Sequence, residues 1–330
     1  MDKRINLGIV GFGIIVETRI YPAILATNLF KITSVFDQSP ERRAYLSEKL
    51  DLPVVDALDK VWQKNCEAIY IATPNQYHVD PAIEALKQGL GVMIEKPLAS
   101  NYQDARRLLD FAEGKDIPLL IAYMSKFNKN NQLAQELVTE GKIGELRTFT
   151  ATFSWFNSDM SLWRLFREHS GPGALSDIGI YSITTGVDFF GDMPLSCTAL
   201  GYPAGDPVFG DKCISGKIDF SHNRWMQIDV SLLSNTCGYT LIGTQGAIYV
   251  GSTWYQSGKG EVVLCRRNNV EKFVQEEINP YEAELACFHN CLNGKPVPQF
   301  LGIRRGVEDI KIIEALDRSS AQGGRPVAIE

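Results

Sequence analysis

No apolar run in this chain reaches the roughly 20 residues that a membrane-spanning helix needs, although 45% of its 330 residues are hydrophobic. No membrane partner is expected. The opening Met1-Asp2-Lys3-Arg4 leads into an apolar strand rather than into the long apolar core of a secretion signal. Cysteine is scarce as well. The seven residues are odd in number and scattered, which excludes a disulfide framework and fits reduced thiols in a cytoplasmic protein. Basic residues are outnumbered 33 to 39, for a net charge of −6, which excludes a broad nucleic-acid surface. Internal repeats and low-complexity segments are absent too. What is left is an ordinary globular composition, long enough for two domains.

The first half alternates short apolar runs with helical patterns, the rhythm of a parallel sheet covered on both faces. Ile5 to Val10 reads as a strand and runs into Gly11-Phe12-Gly13-Ile14-Ile15-Val16. This is a Gly-x-Gly turn of the dinucleotide fingerprint, with Val16 where Gly or Ala is usual. Gly11 would permit the tight turn and Gly13 the approach of a pyrophosphate, with the N–H groups of the following helix aimed at the phosphates. Lys31 to Phe36 makes a second strand that ends in Asp37, 24 residues beyond Gly13. Asp37 is either the carboxylate that binds a ribose or a cap for the turn before Ser39-Pro40. As a ribose ligand it would repel a 2′-phosphate, which favours NAD; Arg42 and Arg43 nearby would suit NADP.

Ala68 to Ala72 reads as the third strand. The loop after it, Thr73-Pro74-Asn75-Gln76-Tyr77-His78, would border the dinucleotide, with His78 either part of that border or a packing residue. The next strand is the stretch around which the chain is organised: Val92-Met93-Ile94-Glu95-Lys96-Pro97. Charges do not continue inside a core without partners, so Glu95 and Lys96 belong at the strand's carboxyl end. Pro97 stops the strand. Ligands of an open parallel sheet bind at that edge. A helix from Asn101 to Glu113 and a strand from Pro118 to Ala122 complete a domain of residues 1–122.

Beyond Tyr123 the pattern changes, and residues 123–330 form a second domain. A bridging helix spans Asn130 to Glu140. Leu146 to Phe156 alternates strictly, and Arg224 to Leu233, Cys237 to Gly243, Ala247 to Ser252 and Glu261 to Arg266 follow as strands with short turns. This reads as an antiparallel meander. One face would pack on helices. The other, with Trp225, Gln227, Asp229, Ser231 and Leu233, is either solvated or meets a second subunit. Two helices close the chain, one with Tyr281, Leu285, Phe288 and Leu292 in a stripe, the other with Ile303, Val307, Ile310, Ile313 and Leu316. Cys287, His289 and Cys291 do not share one face, so no metal site is expected. The chemical stretch is Gly171-Pro172-Gly173 followed by a helix with Asp177 and Tyr181 four residues apart, on one face. Asp177 is either functional or satisfies the helix dipole, and Tyr181 either functional or a core aromatic. Trp163, Arg164 and Arg167 lie in the preceding loop, as pocket walls or as surface.

Together these residues resemble the glucose–fructose oxidoreductase, inositol dehydrogenase and MocA family. The resemblance rests on Gly-Phe-Gly, Ala72-Thr73-Pro74-Asn75 with His78, Glu95-Lys96-Pro97, the Gly171 to Tyr181 helix start and Gly243-Thr244-Gln245-Gly246. It implies an α/β protein: an N-terminal Rossmann domain with a doubly wound parallel sheet, then a C-terminal α/β domain with a large, mostly antiparallel open sheet. It also implies an NAD(P)-dependent oxidoreductase of a sugar, polyol or related alcohol, and a homo-oligomer associating through the sheet face. Where the inositol branch has His, this chain has Tyr181, closer to the dihydrodiol and xylose dehydrogenases. The proton of such a reaction needs a side chain. Tyr181 is the candidate acid–base. A free phenol titrates near pH 10, so it needs a cation, and Lys96 would supply it. Asp177 would orient a hydroxyl, and Trp163 and Arg164 would line the pocket. The same fold can serve as a non-catalytic redox sensor, but Lys96, Asp177 and Tyr181 are all present, which favours the enzyme.

Overall fold

The computed structural model describes residues 4–157, 159, 163–251, 260–276 and 278–330. Five short strands form a parallel sheet: β1 (Ile5–Val10), β2 (Phe30–Phe36), β3 (Ala68–Ile71), β4 (Gly91–Glu95) and β5 (Leu119–Ala122), in the order β2-β1-β3-β4-β5. Residues of β3, β4 and β5 are buried without alternation, as a sheet covered on both faces requires. The connections carry α1 (Tyr21–Thr27), α2 (Pro40–Leu50), α3 (Val79–Lys87) and α4 (Tyr102–Ala112). Because β2 lies on one side of β1 and β3 on the other, the strand order reverses between the loops that follow β1 and β3. Such a reversal opens the crevice where an open parallel sheet takes its ligand.

A second, nine-stranded sheet has the order β13-β12-β11-β10-β6-β9-β8-β7-β14. Its strands are β6 (Leu146–Ser154), β7 (Ser196–Tyr202), β8 (Cys213–Phe220), β9 (Arg224–Ser231), β10 (Thr236–Gly243), β11 (Ala247–Gly251), β12 (Glu261–Arg266), β13 (Asn269–Val274) and β14 (Val327–Ala328). It is not a simple meander. β6 is inserted between β9 and β10, which follow each other in sequence with opposite directions. Antiparallel to β10, β6 is therefore parallel to β9. On the inner face Phe149, Met226, Ile228, Tyr239 and Leu241 are buried. The remaining helices are α5 (Lys129–Thr139), the single turn α6 (Arg167–Ser170), α7 (Ile180–Phe190), α8 (Pro280–Leu292) and α9 (Ile303–Ala321). Gly186 of α7 lets that helix lie close on Phe149 and Met226, where a Cβ would stand 2.3 Å from the Met226 sulfur.

The chain separates into two compact units. One holds the parallel sheet, with residues up to Ala99, Gln103–Tyr123 and Tyr281–Val307; the other holds Ser100–Tyr102, Met124–Pro280 and Glu308–Glu330. In this division the chain returns to the first unit after residue 280. There Phe288 of α8 stacks on Phe30 of β2 with ring centroids 5.8 Å apart, and Leu292 fills the space beside Gly91. Among the described residues no helix is long and apolar enough to cross a membrane.

Candidate active site

In the first unit the site is built at the reversal of strand order. Gly11 has φ +85°, and a Cβ there would stand 2.6 Å from the Ala72 carbonyl oxygen and 2.9 Å from the Thr73 nitrogen. The loops after β1 and β3 thus close on each other, and only glycine fits. A Cβ on Gly13, by contrast, would meet open space. A tight turn against the neighbouring loop, followed by an uncrowded glycine and a helix start, fits a dinucleotide's pyrophosphate. The helix then begins with a wide π-type segment, Val16–Ile20, before α1. Phe12 is fully buried, whereas Ile14 is 71% exposed.

Asp37 holds the turn after β2. Its Oδ2 accepts from the Phe12 N–H at 2.9 Å and its Oδ1 from the Ser39 N–H at 3.0 Å. The capping role weighed from sequence is thus present, and each oxygen keeps a second lone pair for a ribose hydroxyl. Arg42 donates from Nε to the Phe12 carbonyl at 2.9 Å, pairs with Glu17, and lies 4.9 Å over the Tyr45 ring. Arg43 donates to the carbonyl of Asp37 at 2.7 Å. The Thr73 hydroxyl donates to the Tyr77 carbonyl at 3.0 Å, and Pro74 and Asn75 lead into the short turn Asn75–Tyr77.

His78 is fully buried beneath these loops. Its Nε2 lies 2.8 Å from the Thr73 carbonyl and its Nδ1 2.9 Å from that of Pro97, so the ring ties the loop after β3 to the turn after β4. Burial lowers its pKa to about 4 against the pull of the backbone carbonyls. Glu95 ends β4 with 9% exposure. It accepts from the Tyr70 hydroxyl at 2.8 Å and from the Lys96 N–H at 3.2 Å. Burial, then the charge of Glu95, raises the Tyr70 pKa well above that of a free phenol. Glu284 on α8 is a carboxyl that sequence patterning hid in an apolar stripe. It is fully buried, neither oxygen has a hydrogen-bond partner among the described residues, and burial holds its pKa well above the usual range. Lys96 follows directly, at a cis Lys96–Pro97 bond.

In the second unit, Gly173 has φ +57°, and a Cβ there would stand 2.7 Å from the Asp211 carbonyl oxygen and from the Gly210 carbonyl carbon. This turn starts the helix of interest, which opens with a second π-type segment, Leu175–Gly179, before α7. Asp177 sits in that segment and Tyr181 in the first turn of α7, so their four-residue spacing does not span one regular α turn. Arg164 Nε lies 3.3 Å from Asp177 Oδ1, and its guanidinium 4.7 Å over the Trp163 ring. The loop is thereby tied to the helix. Arg167 is committed elsewhere: both terminal nitrogens bind Asp317 at 2.8 Å and Nε the Asp206 carbonyl at 2.6 Å. It anchors the loop. Tyr181 is 9% exposed, its ring 5.8 Å from that of Phe153.

A glycine turn at a sheet reversal, with a lysine at the carboxyl end of β4, defines a dinucleotide-binding oxidoreductase. Residues 5–123 match the Gfo/Idh/MocA model described as oxidoreductase family, NAD-binding Rossmann fold, and residues 135–329 match the C-terminal alpha/beta domain of that family. The chain belongs to the Gfo/Idh/MocA family, and it is an NAD(P)-dependent dehydrogenase or reductase rather than a sensor of the same fold. It is 25% identical over 324 residues to the 1,5-anhydro-D-fructose reductase of Ensifer adhaerens, covering 96% of each chain. It is 24% identical to the D-xylose 1-dehydrogenase [NADP(+)] of Haloarcula marismortui, over 97% of this chain and 92% of the relative. The fold is also that of the aldose-aldose oxidoreductase of Caulobacter crescentus complexed with glycerol: TM-score 0.89, 23% identity, covering 99% of this chain and 100% of that one.

Proposed function

We propose that the enzyme interconverts a hydroxyl and a carbonyl on a sugar or polyol, with Tyr181 moving the proton, Lys96 supporting it and Asp177 orienting the substrate. The nicotinamide, when bound, accepts or returns the hydride. The Tyr181 phenol oxygen takes the proton as the carbonyl forms and gives it back in reverse. A free phenol is too weak a base at neutral pH, and the role proposed for Lys96 is to favour the phenolate. Arg164 holds the Asp177 carboxylate in place, leaving lone pairs for a sugar hydroxyl. The observation that carries this reading is the position of Lys96 at the carboxyl end of β4, directly after a glutamate anchored by Tyr70. The names of the anhydrofructose reductase and the xylose dehydrogenase support the substrate class.

Asp37, beside Phe12, would hold the adenosine ribose of the cofactor, and the turn at Gly11 to Ile15 its pyrophosphate. Thr73, Pro74 and Asn75 would border its middle, with Glu95 and Lys96 toward the nicotinamide. NAD is favoured, because Asp37 stands where a 2′-phosphate would go and Arg42 is paired with Glu17; the xylose dehydrogenase, by its name, uses NADP(+). The outer face of the nine-stranded sheet is the surface through which subunits would associate. A reducing, cytoplasmic setting fits seven scattered thiols, odd in number. Those of Cys197 and Cys287 are pushed up to about 12, by burial above all.

The test is a pair of variants assayed against a panel of sugars, polyols and their carbonyl forms. Lys96→Met should abolish turnover while NADH binding stays measurable by fluorescence; full activity would remove Lys96 from the mechanism. Tyr181→Phe should lower kcat roughly a hundredfold or more, the scale of general acid–base catalysis. A near-normal rate would assign the proton to another group.

A further inference from the structure

Glu17 stands one turn into the first helix, its N–H bonded to the Gly13 carbonyl at 3.0 Å. Its carboxylate pairs with the Arg42 guanidinium through one oxygen and accepts from the Tyr45 hydroxyl at 2.9 Å through the other. Arg42 in turn is fixed from three sides. Its Nε binds the Phe12 carbonyl, its outer nitrogen binds Glu17, and its plane lies over Tyr45. Phe12 is the common point, because its N–H donates to Asp37 while its C=O accepts from Arg42. The guanidinium is therefore tied to the same residue as the carboxylate at the ribose position. A guanidinium there is the group that would receive a 2′-phosphate. Both side chains are partly exposed, 25% for Arg42 and 30% for Glu17, so an incoming anion has access to the pair.

We propose that Glu17 is a specificity-determining residue for the dinucleotide, acting by occupying Arg42 and so withholding the guanidinium from a 2′-phosphate. The inference rests on the dinucleotide-binding reading above and adds a residue to it. A 2′-phosphate must displace a carboxylate that is already in place, so binding NADP(H) costs an ion pair that binding NAD(H) leaves intact. Glu17 acts through Arg42 and is a positioning residue. A merely structural acid in the first turn of a helix would change stability and leave the ratio of the two affinities alone.

The test is equilibrium titration of the full chain with NADH and with NADPH, followed by cofactor fluorescence. Glu17→Gln keeps size and hydrogen-bonding capacity but removes the charge. It should tighten NADPH by about fivefold, the upper scale of one released ion pair at a partly exposed site, and leave NADH within about twofold. Glu17→Asp, which keeps the charge, should keep the wild-type ratio. Adding Arg42→Ala to Glu17→Gln should erase the gain. An unchanged NADPH-to-NADH ratio in Glu17→Gln, or a gain that survives loss of Arg42, overturns the proposal. Failure of the unmodified chain to bind either cofactor would instead overturn the dinucleotide reading itself.

Discussion

Asp211 has no solvent exposure, and its Oδ1 lacks a hydrogen-bond partner among the described residues, while Oδ2 accepts from Ser320 at 3.2 Å. Burial, then the nearby Asp317, raises its pKa to about 6, against the smaller opposing effects of Ser320 and Arg167. The folded chain therefore prefers the protonated acid more than the unfolded chain does. Stability should be highest below the ordinary carboxylate range, fall as pH rises from about 4 to 6, and level off above. Asp211→Asn removes the ionisation. Relative to wild type it should gain stability across that window, by up to about 3 kcal/mol at neutral pH. Urea unfolding at pH 4, 5, 6 and 8 measures this, and a difference independent of pH would mean that folding does not shift the ionisation of Asp211. The same residue bears on the site, because its carbonyl accepts from the Ala174 N–H at 2.8 Å, behind the turn that starts the Tyr181 helix.

That turn is an element-scale device. Gly173 combines a left-handed φ with a backbone approach that leaves no room for a Cβ, so Gly173→Ala should destabilise by more than about 1 kcal/mol. It should lower kcat as well, by displacing Asp177 and Tyr181; a urea midpoint and rate both near wild type would refute this. Much at this scale was legible beforehand. The inner strands of the parallel sheet announce themselves as short apolar runs ended by Gly11, Thr73 and Glu95, because a strand buried on both faces has no polar alternation to confuse the reading. The two π-type segments, Val16–Ile20 and Leu175–Gly179, were not legible, since nothing in their composition separates them from α-helix. Both follow a glycine turn at a candidate site, where such insertions recur. Ser196–Tyr202 and Asn269–Val274 escaped because Gly201 and the exposed Val270 and Val274 break the hydrophobic alternation. Tyr70 in an apolar run did carry a signal, since a buried hydroxyl needs a partner. That the partner is Glu95 follows only from strand pairing.

For the molecule as a whole, the outer face of the nine-stranded sheet is the surface proposed for the meeting of copies. Its register sets one row across the middle strands: Val263, Tyr249, Thr240, Thr150, Gln227 and Lys217. The row has one charge, and beside it stand Ile242, Trp225, Leu200 and Tyr202, each at least 38% exposed. In sequence such a face reads either as solvated or as meeting a second subunit, because threonines and a glutamine alternate with the core residues. Threonine and aromatic groups outnumber the charged Lys217, Asp219 and Asp229 there, which supports the reading as an interface. On the proposal that subunits associate here, Thr150→Arg places an unpaired cation at the centre of the row, on the central strand, where burial in an interface leaves it without water. In a free sheet the same arginine stands in solvent and costs little. The variant should therefore sediment as a monomer while its thermal midpoint, measured at a concentration where the wild type is already dissociated, stays within a few degrees. An assembly unaffected by Thr150→Arg would move the interface to another surface.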